Sequence, residues 1–402
     1  MAAMAGTQGP YSRSGCRCGS ANAQCMPRWC RGFTLIELMV GMVVSILCVL
    51  AMMSAFATFE GQKRTTTSGG DAQQSGSYSL YELERQIRTA GSGLTQGNGY
   101  GVWGCSLAAF SGSTQRIPSA AALPAPFAAW PLGTTPVNLM LMPVLIASGG
   151  TDAAGNAKPD VIAVVGGNPA GTVFQVGVTA GTNTTVTLDN AFGFTAGDYL
   201  LGTTTAGNCV LGKASSISAT APNPITLSAA DSPPTTSATG FTAATKVFDL
   251  GPSPVLSLFG VDPTSHSLEV FDLLQRSGST AIPIADGIVQ IKALYGVDTT
   301  GTGFVDTWVQ PTGTTWSIGS IMTSQATANA AYGKIKAIRV VVVAQSKLGE
   351  RQSDYATGGS TLTLFPDLAT SLQYTVTTQS QYRYKVYDTT IPIRNALITR
   401  YF

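Results

Sequence analysis

The 402 residues include 44% hydrophobic but only 11% charged side chains, and the formal net charge is +2. With 15 Phe, 13 Tyr and 5 Trp the chain is too aromatic to be disordered, and it is long enough to build one or two cores. The four Arg of residues 1–32 leave a net charge of −2 for the remainder. A chain with this balance and no Lys/Arg cluster is not expected to bind nucleic acid.

An apolar segment of 22 residues without a charge runs from Leu38 to Phe59. A helix needs about 20 residues to cross a hydrocarbon layer of about 30 Å, so residues 33–59 are predicted to span a membrane. The net positive charge of the chain lies entirely before this span, where four Arg stand without an Asp or Glu, which predicts that the remainder of the chain is translocated. A carboxylate inside a bilayer costs roughly 2.5–3.5 kcal/mol, so Glu37 should have a compensating interaction.

The stretch GFTLIELMV, which begins at Gly32 and follows two Arg, resembles the cleavage motif of type IV pilins and type II secretion pseudopilins. The resemblance implies that a prepilin peptidase cuts between Gly32 and Phe33 and methylates the new N-terminus at Phe33. It also implies that Glu37 docks against the N-terminal ammonium of a neighbouring subunit in a filament. An ordinary signal anchor with a chance match is the alternative.

The leader, residues 1–32, is longer than leaders of this superfamily. Met26 would begin a basic leader of seven residues, MPRWCRG. We therefore expect residues 1–25 to be an extension from an upstream start, and three cysteines to be absent from the working protein: Cys16, Cys18 and Cys25.

Residues 60–92 are predicted to be the periplasmic half of the same helix. The tract TTTSGGDAQQSGS is poor helix material, which predicts a loosened or broken helix near residues 65–76. Beyond it one apolar stripe, expected to pack on the following domain, is formed at helical spacing by Leu80, Leu83, Ile87 and Ala90. Gly91-Ser92-Gly93 should end the helix.

Residues 93–402 change to the two-residue period of β-strands. Thr172–Val178 and Thr184–Leu188 flank a turn and predict a hairpin. Ile335–Ala344 is apolar throughout, as in a central strand, and Tyr382–Tyr387 alternates like an edge strand. Residues 118–144 are predicted to be an irregular loop. The fold class is α+β and pilin-like, with a long N-terminal helix packed on an enlarged β head.

Several stretches resemble the PilW family of minor pilins: YELERQIRTAGSG, YGVWGCSLAAF, GDYLLGTTTAGNCVLGKAS, ADGIVQIKALYGVDTTGTGFVDTW, KIKAIRVVVVAQS and YRYKVYDTTIPIRNALITRYF. The resemblance implies that Cys105 and Cys209 form a disulfide. It implies a minor pilin that helps initiate type IV pili and is built into them. The expected partners are prepilin peptidase, the major pilin, other minor pilins, the inner-membrane assembly machinery and membrane lipid.

No enzyme motif is visible, and no cofactor is expected. His266 is the only histidine and lacks a Glu or His partner at zincin spacing, so we interpret it as structural. The loop Asp298–Asp306 partly resembles a calcium-binding loop, but its third and fifth positions are Thr, and a Gly-rich turn is the favoured interpretation. No metal site is therefore predicted.

Three hypotheses follow from these patterns. The leading one is a PilW-like minor pilin, held in the bacterial inner membrane by a single span with a periplasmic head before it enters the pilus. The second is a J-type minor pseudopilin of a type II secretion system. The third is a pilus-tip adhesin whose Thr/Gly-rich head binds a host or abiotic ligand.

The cleavage motif predicts that the protein extracted from membranes begins at N-methylated Phe33 in cells that contain prepilin peptidase. In cells without the peptidase, the basic leader should remain attached. Intact-mass and N-terminal analysis of both samples measures this directly. A leader retained in both strains would make the protein an ordinary anchored one.

Overall fold

The computed structural model describes residues 33–94, 102–131, 137–168, 175–218, 220, 222–237, 240–276, 278–350 and 359–398. The chain divides into two units, residues 1–59 and 60–402. The α-helices are α1 Leu35–Thr89, α2 Gly313–Trp316, α3 Ile318–Ile321, α4 Gln325–Lys334 and α5 Arg394–Ile398. Short 3₁₀ turns lie at Phe127–Ala129, Phe241–Ala243 and Thr370–Leu372.

The strands are β1 Ser106–Ser111, β2 Thr114–Ile117, β3 Val144–Ala147, β4 Val161–Gly166, β5 Val176–Gly181, β6 Thr185–Leu188, β7 Tyr199–Thr204, β8 Asn208–Ile217, β9 Pro224–Leu227, β10 Ala244–Asp249, β11 Val255–Asp262, β12 Ser267–Asp272, β13 Ile282–Asp286, β14 Ile288–Val297, β15 Thr307–Val309, β16 Ile335–Gln345, β17 Ser360–Leu364, β18 Tyr374–Thr378 and β19 Tyr384–Pro392. The fold is thus a long N-terminal apolar helix followed by a β-rich globular region, as the sequence predicted.

The predicted break near residues 65–76 is wrong, because α1 is continuous there. Small residues on one face let this part of the helix lie against the β-rich region. The buried positions of this small-residue face are Ser68, Ala72, Gly76 and Ser79. The Ser68 hydroxyl accepts a hydrogen bond from Leu348 N–H at 3.1 Å, and the Tyr387 hydroxyl donates to the Gln73 carbonyl at 3.0 Å. These tertiary contacts offset the weak helix propensity of the tract.

The last turns of α1 follow the sequence prediction. Leu83, Ile87 and Ala90 are fully buried in the main core, and Leu80 packs against it. The helix ends at Thr89, and Gly91 has a φ of +77°, a conformation that favours glycine. The Gly91 N–H donates to Val165 of β4 at 2.7 Å, so the helix end is fixed to the sheet.

The main core lies between α1 and two antiparallel sheets. One sheet has the order β13-β12-β11-β4-β3 and the other has the order β15-β14-β16-β19. β16 is paired on both sides, as predicted for Ile335–Ala344, and β19 is an edge strand, as predicted for residues 382–387. The hairpin β17-β18 covers a smaller cluster that includes Leu294, Val341 and Phe365.

A separate small barrel is formed by six strands in the order β8-β7-β10-β5-β6-β9, since β9 also pairs with β8. It includes the predicted hairpin as β5 and β6, while residues 172–174 of that prediction lie outside the described part. Phe241 fills the interior and is fully buried. A Cβ on Gly202 or Gly212 would lie within 2.8 Å of the Phe241 ring, so close approach requires glycine at both positions.

The packing of α1 gives opposite predictions for two of its glycines. A Cβ on Gly76 would lie 2.2 Å from the Tyr387 ring, whereas a Cβ on Gly70 would meet nothing within 4 Å. Gly70→Ala should raise the free energy of unfolding by about 0.5–1 kcal/mol, because alanine favours the helix. Gly76→Ala should lower it by about 1–3 kcal/mol through overpacking.

Denaturant unfolding of the full chain in detergent, followed by Trp fluorescence, measures both changes. Gly70→Ala is the matched control for helix propensity. Equal stabilisation by the two substitutions would contradict the close packing of Gly76 on Tyr387.

Candidate assembly site

The start of α1 is fixed by a Thr N-cap. Thr34 Oγ1 accepts a hydrogen bond from Glu37 N–H at 3.3 Å, and the Thr34 carbonyl accepts the first helical bond from Leu38 at 3.1 Å. Glu37 is therefore the third residue of the helix, where a negative charge is favoured by the helix dipole. Phe33 precedes the cap and is 82% exposed, while Gly32 lies outside the described residues.

Residues 33–59 expose apolar side chains on every side of the helix. Their large hydrophobic residues are all at least half exposed. A helix that is apolar all round needs a lipid or protein environment. In the described part of the chain, α1 alone is long and apolar enough to cross a membrane.

The few hydroxyls of this segment are satisfied within the helix. The Ser45 hydroxyl donates to the Gly41 carbonyl at 2.7 Å, the Ser54 hydroxyl to the Ala51 carbonyl at 2.8 Å and the Thr58 hydroxyl to the Ser54 carbonyl at 3.1 Å. Hydrogen bonds of this kind let small polar residues enter hydrocarbon without an unpaired donor. The segment is thus compatible with a membrane and with tight packing against other helices.

Cys105 and Cys209 form a disulfide, as the family resemblance implied, with their Cα atoms 5.6 Å apart. Cys105 immediately precedes β1, and Cys209 lies on β8 of the barrel, which pairs with β1 in parallel. The bond closes a span of 104 residues and so joins the barrel to the main core. Cys48 is exposed on the apolar helix.

The loop at residues 298–306 uses its carboxylates to hold its own backbone. Asp298 accepts hydrogen bonds from the N–H groups of Thr302 and Gly303, and Asp306 accepts from Thr299 and Thr300. Burial raises the pKa of both carboxyls, but these bonds, together with those from the Thr299 and Thr300 hydroxyls to Asp306, outweigh it, so the pKa of Asp298 is lowered and that of Asp306 falls to about 2. Oxygen atoms engaged in this way stabilise a turn, in agreement with the favoured interpretation of the sequence.

His266 lies in the turn between β11 and β12, at the rim of a shallow hollow of about 210 Å³. Asp286, Lys347 and Tyr382 line the same hollow. Among the described residues, no three His, Cys, Asp or Glu side chains are grouped so as to hold a metal ion.

A buried ion pair was not predicted. Asp160 and Lys292 are fully buried, with Lys292 Nζ 2.5 Å from Asp160 Oδ1. The residues are 132 positions apart, and each lies in an apolar stretch. No local pattern in the sequence shows that the two stretches lie side by side in the fold.

Two further carboxylates are 1% exposed: Asp198 immediately precedes β7, and Asp249 is the last residue of the neighbouring strand β10. Asp249 accepts a hydrogen bond from Gly251 N–H at 2.7 Å, and Asp198 accepts from Thr195. Burial raises the pKa of Asp249 to about 6; the Gly251 bond lowers this pKa and the charge of Asp198 raises it.

Comparison with known families is consistent with these features. A family model described as Type IV Pilus-assembly protein W matches residues 264–395, and a model of the Prokaryotic N-terminal methylation motif matches residues 30–53. No curated protein and no solved structure matches the chain significantly. The two family matches support a type IV pilus minor pilin of the PilW kind, and both families are structural pilins.

Asp249 should make the stability of the fold depend on pH. Its folded pKa of about 6 exceeds the unfolded value of about 3.9, so the folded state binds the extra proton. The contribution of Asp249 to the free energy of unfolding is therefore fully present below a pH of about 4 and is lost as the pH rises through about 6. Asp249→Asn, which keeps an acceptor for Gly251, should therefore flatten the pH dependence in this window.

The measurement is thermal unfolding of the full chain between pH of about 4 and 7. Asp71→Asn, at an exposed position of α1, is the control and should leave the wild-type slope. A wild-type slope in Asp249→Asn would show that Asp249 does not titrate in this range.

Proposed function

We propose that the chain, which carries the PilW match and the prepilin methylation motif, is a minor pilin that helps initiate type IV pili and is incorporated into them. The observation that supports this most strongly is the capped apolar helix with Glu37 in its first turn, joined in sequence to a folded β head. Prepilin peptidase would cut after Gly32 and methylate Phe33. The processed helix then packs with those of the major pilin and other minor pilins.

The pairing of Glu37 with the N-terminal ammonium of a neighbouring subunit would determine the docking position. At an effective dielectric constant of about 20, unit charges 4 Å apart attract by about 4 kcal/mol. This is comparable with the roughly 2.5–3.5 kcal/mol needed to keep a carboxylate in the bilayer. Exposure of Glu37 in the single chain leaves its carboxylate accessible to such a partner.

Before assembly, the protein would be held in the inner membrane by residues 33–59, with the head in the periplasm. The Arg residues before the span favour a cytoplasmic leader. The Cys105–Cys209 disulfide suits an oxidising compartment on the other side. The inner-membrane assembly machinery would then draw the helix into the filament.

Adhesion is a second candidate function, and the barrel is the feature of the structure that favours it. It has its own core and exposes Phe192, which is 81% accessible, near one of its ends. Deleting residues of the loop between β6 and β7, which contains Phe192, should then reduce attachment while pilus number stays normal. A role as a J-type pseudopilin would instead appear as blocked export of secreted enzymes after deletion of the gene.

Deletion of the gene should reduce surface piliation and twitching, and the wild-type chain should restore both. Glu37→Leu should be processed and inserted normally but restore piliation at least about tenfold less well, since loss of the charge pair removes more than 1.4 kcal/mol. Quantification of sheared pili by immunoblotting measures this effect.

Glu60→Leu is the matched control, because Glu60 is an exposed carboxylate of the same helix beyond the apolar segment. It should restore piliation as the wild type does. Normal piliation in the deletion strain would refute a role in initiation, and full rescue by Glu37→Leu would refute the docking role of the carboxylate.

A further inference from the structure

The buried pair of Asp160 and Lys292 places an amine against a carboxyl group in a dry site. Asp160 immediately precedes β4, and Lys292 lies in the middle of β14. Both side chains are completely inaccessible to solvent, and Nζ lies 2.5 Å from Oδ1. Since Cγ is bonded to Oδ1, Nζ is close to the reacting separation of about 3–3.5 Å from the carboxyl carbon.

The carboxyl group is held from both sides by backbone donors. Gly149 N–H donates to Oδ1 and Ala293 N–H donates to Oδ2, each at 3.0 Å. Donors fixed in this way stabilise negative charge that develops on a carbonyl oxygen during attack by a nucleophile. Ala293 N–H is therefore placed to stabilise Oδ2 if the amine adds to Cγ.

The surroundings of Lys292 are poor for an ammonium ion. Nζ faces one carboxylate oxygen and the ring of Tyr374, whose centroid is 4.4 Å away. An ammonium group has three donors, and burying it in an apolar core is costly. Burial also raises the pKa of the Asp160 carboxyl, although Lys292 and the backbone donors lower it. Transfer of one proton from Nζ to the carboxylate would leave a neutral amine beside a neutral acid.

We propose that Lys292 and Asp160 are joined by an intramolecular amide bond formed during or after folding. The neutral amine attacks Cγ, an N–C bond forms, and the bond from Cγ to Oδ1 breaks. Oδ1 leaves as water with its own proton and one proton from Nζ, while Oδ2 remains as the amide oxygen. No oxidation or reduction takes place, and no co-reactant is needed.

Tyr374 closes the site on the side of the amine. Its hydroxyl is buried and has no hydrogen-bond partner among the described residues, and its ring covers Nζ. The closed apolar site also keeps bulk water from reversing the reaction.

The bond would connect the start of β4 with the centre of β14, and so tie the two sheets of the main core covalently. It does not depend on the proposed function, since the reacting groups lie wholly within the head. Together with the disulfide it would give the head two covalent links between distant segments.

Peptide mapping of the full chain tests the proposal. After purification in detergent, reduction and proteolysis under denaturing conditions, mass spectrometry should find a branched peptide containing both residues. Its mass should equal the sum of the two linear peptides less one water molecule. Lys292→Arg and Asp160→Ala should each abolish it.

Lys213 and Asp231 serve as an internal control, because they form an ion pair at 3.7 Å that is partly exposed. No branched peptide is expected there. Recovery of Asp160 and Lys292 only in linear peptides with unmodified side chains would overturn the proposal and leave a buried ion pair. The wild-type map decides this even if the variants fail to fold.

Discussion

Close packing of the small-residue face of α1 on the β-rich region is the constraint on which the structure of the head depends. At Gly76 there is no space for even one methyl group beside Tyr387. Two hydrogen bonds, to Ser68 and Gln73, fix the helix laterally along the same face. The sheets therefore have a defined position along residues 68–90, and the position of the sheets in turn determines where the core closes.

The head contains few charges and places many of them inside the fold or in tight turns. Asp298 and Asp306 hold the backbone of one turn, and Arg339 donates to both Asp367 and Asp388 across neighbouring segments. Charged groups that are paired or hydrogen-bonded at specific places contribute to a unique arrangement of strands.

Local pattern was sufficient where one face of an element is buried uniformly. The stripe from Leu80 to Ala90 and the apolar strand at 335–344 are examples, since their periodicity reflects burial directly. The local pattern gave a wrong prediction at residues 65–76. Gly and Ser there predict a break in the helix, whereas in the structure they are the positions at which a continuous helix contacts the β-rich region. The local pattern also missed the barrel and the Asp160–Lys292 pair, because closure of β9 on β8 and contacts over 132 residues depend on tertiary structure.

The two ends of the chain segment that forms the barrel lie next to each other in the main fold. Asn168, after β4, donates a hydrogen bond to the Leu250 carbonyl, after β10, at 2.7 Å. A segment whose two ends meet can change in length without altering the register of β4 and β11 on either side of it, provided that Cys209 and β8 keep their contacts with Cys105 and β1. The PilW match begins at residue 264, beyond this segment. The architecture thus separates a frame, which contains the PilW match, from a module that is attached to it at its two ends and through one disulfide.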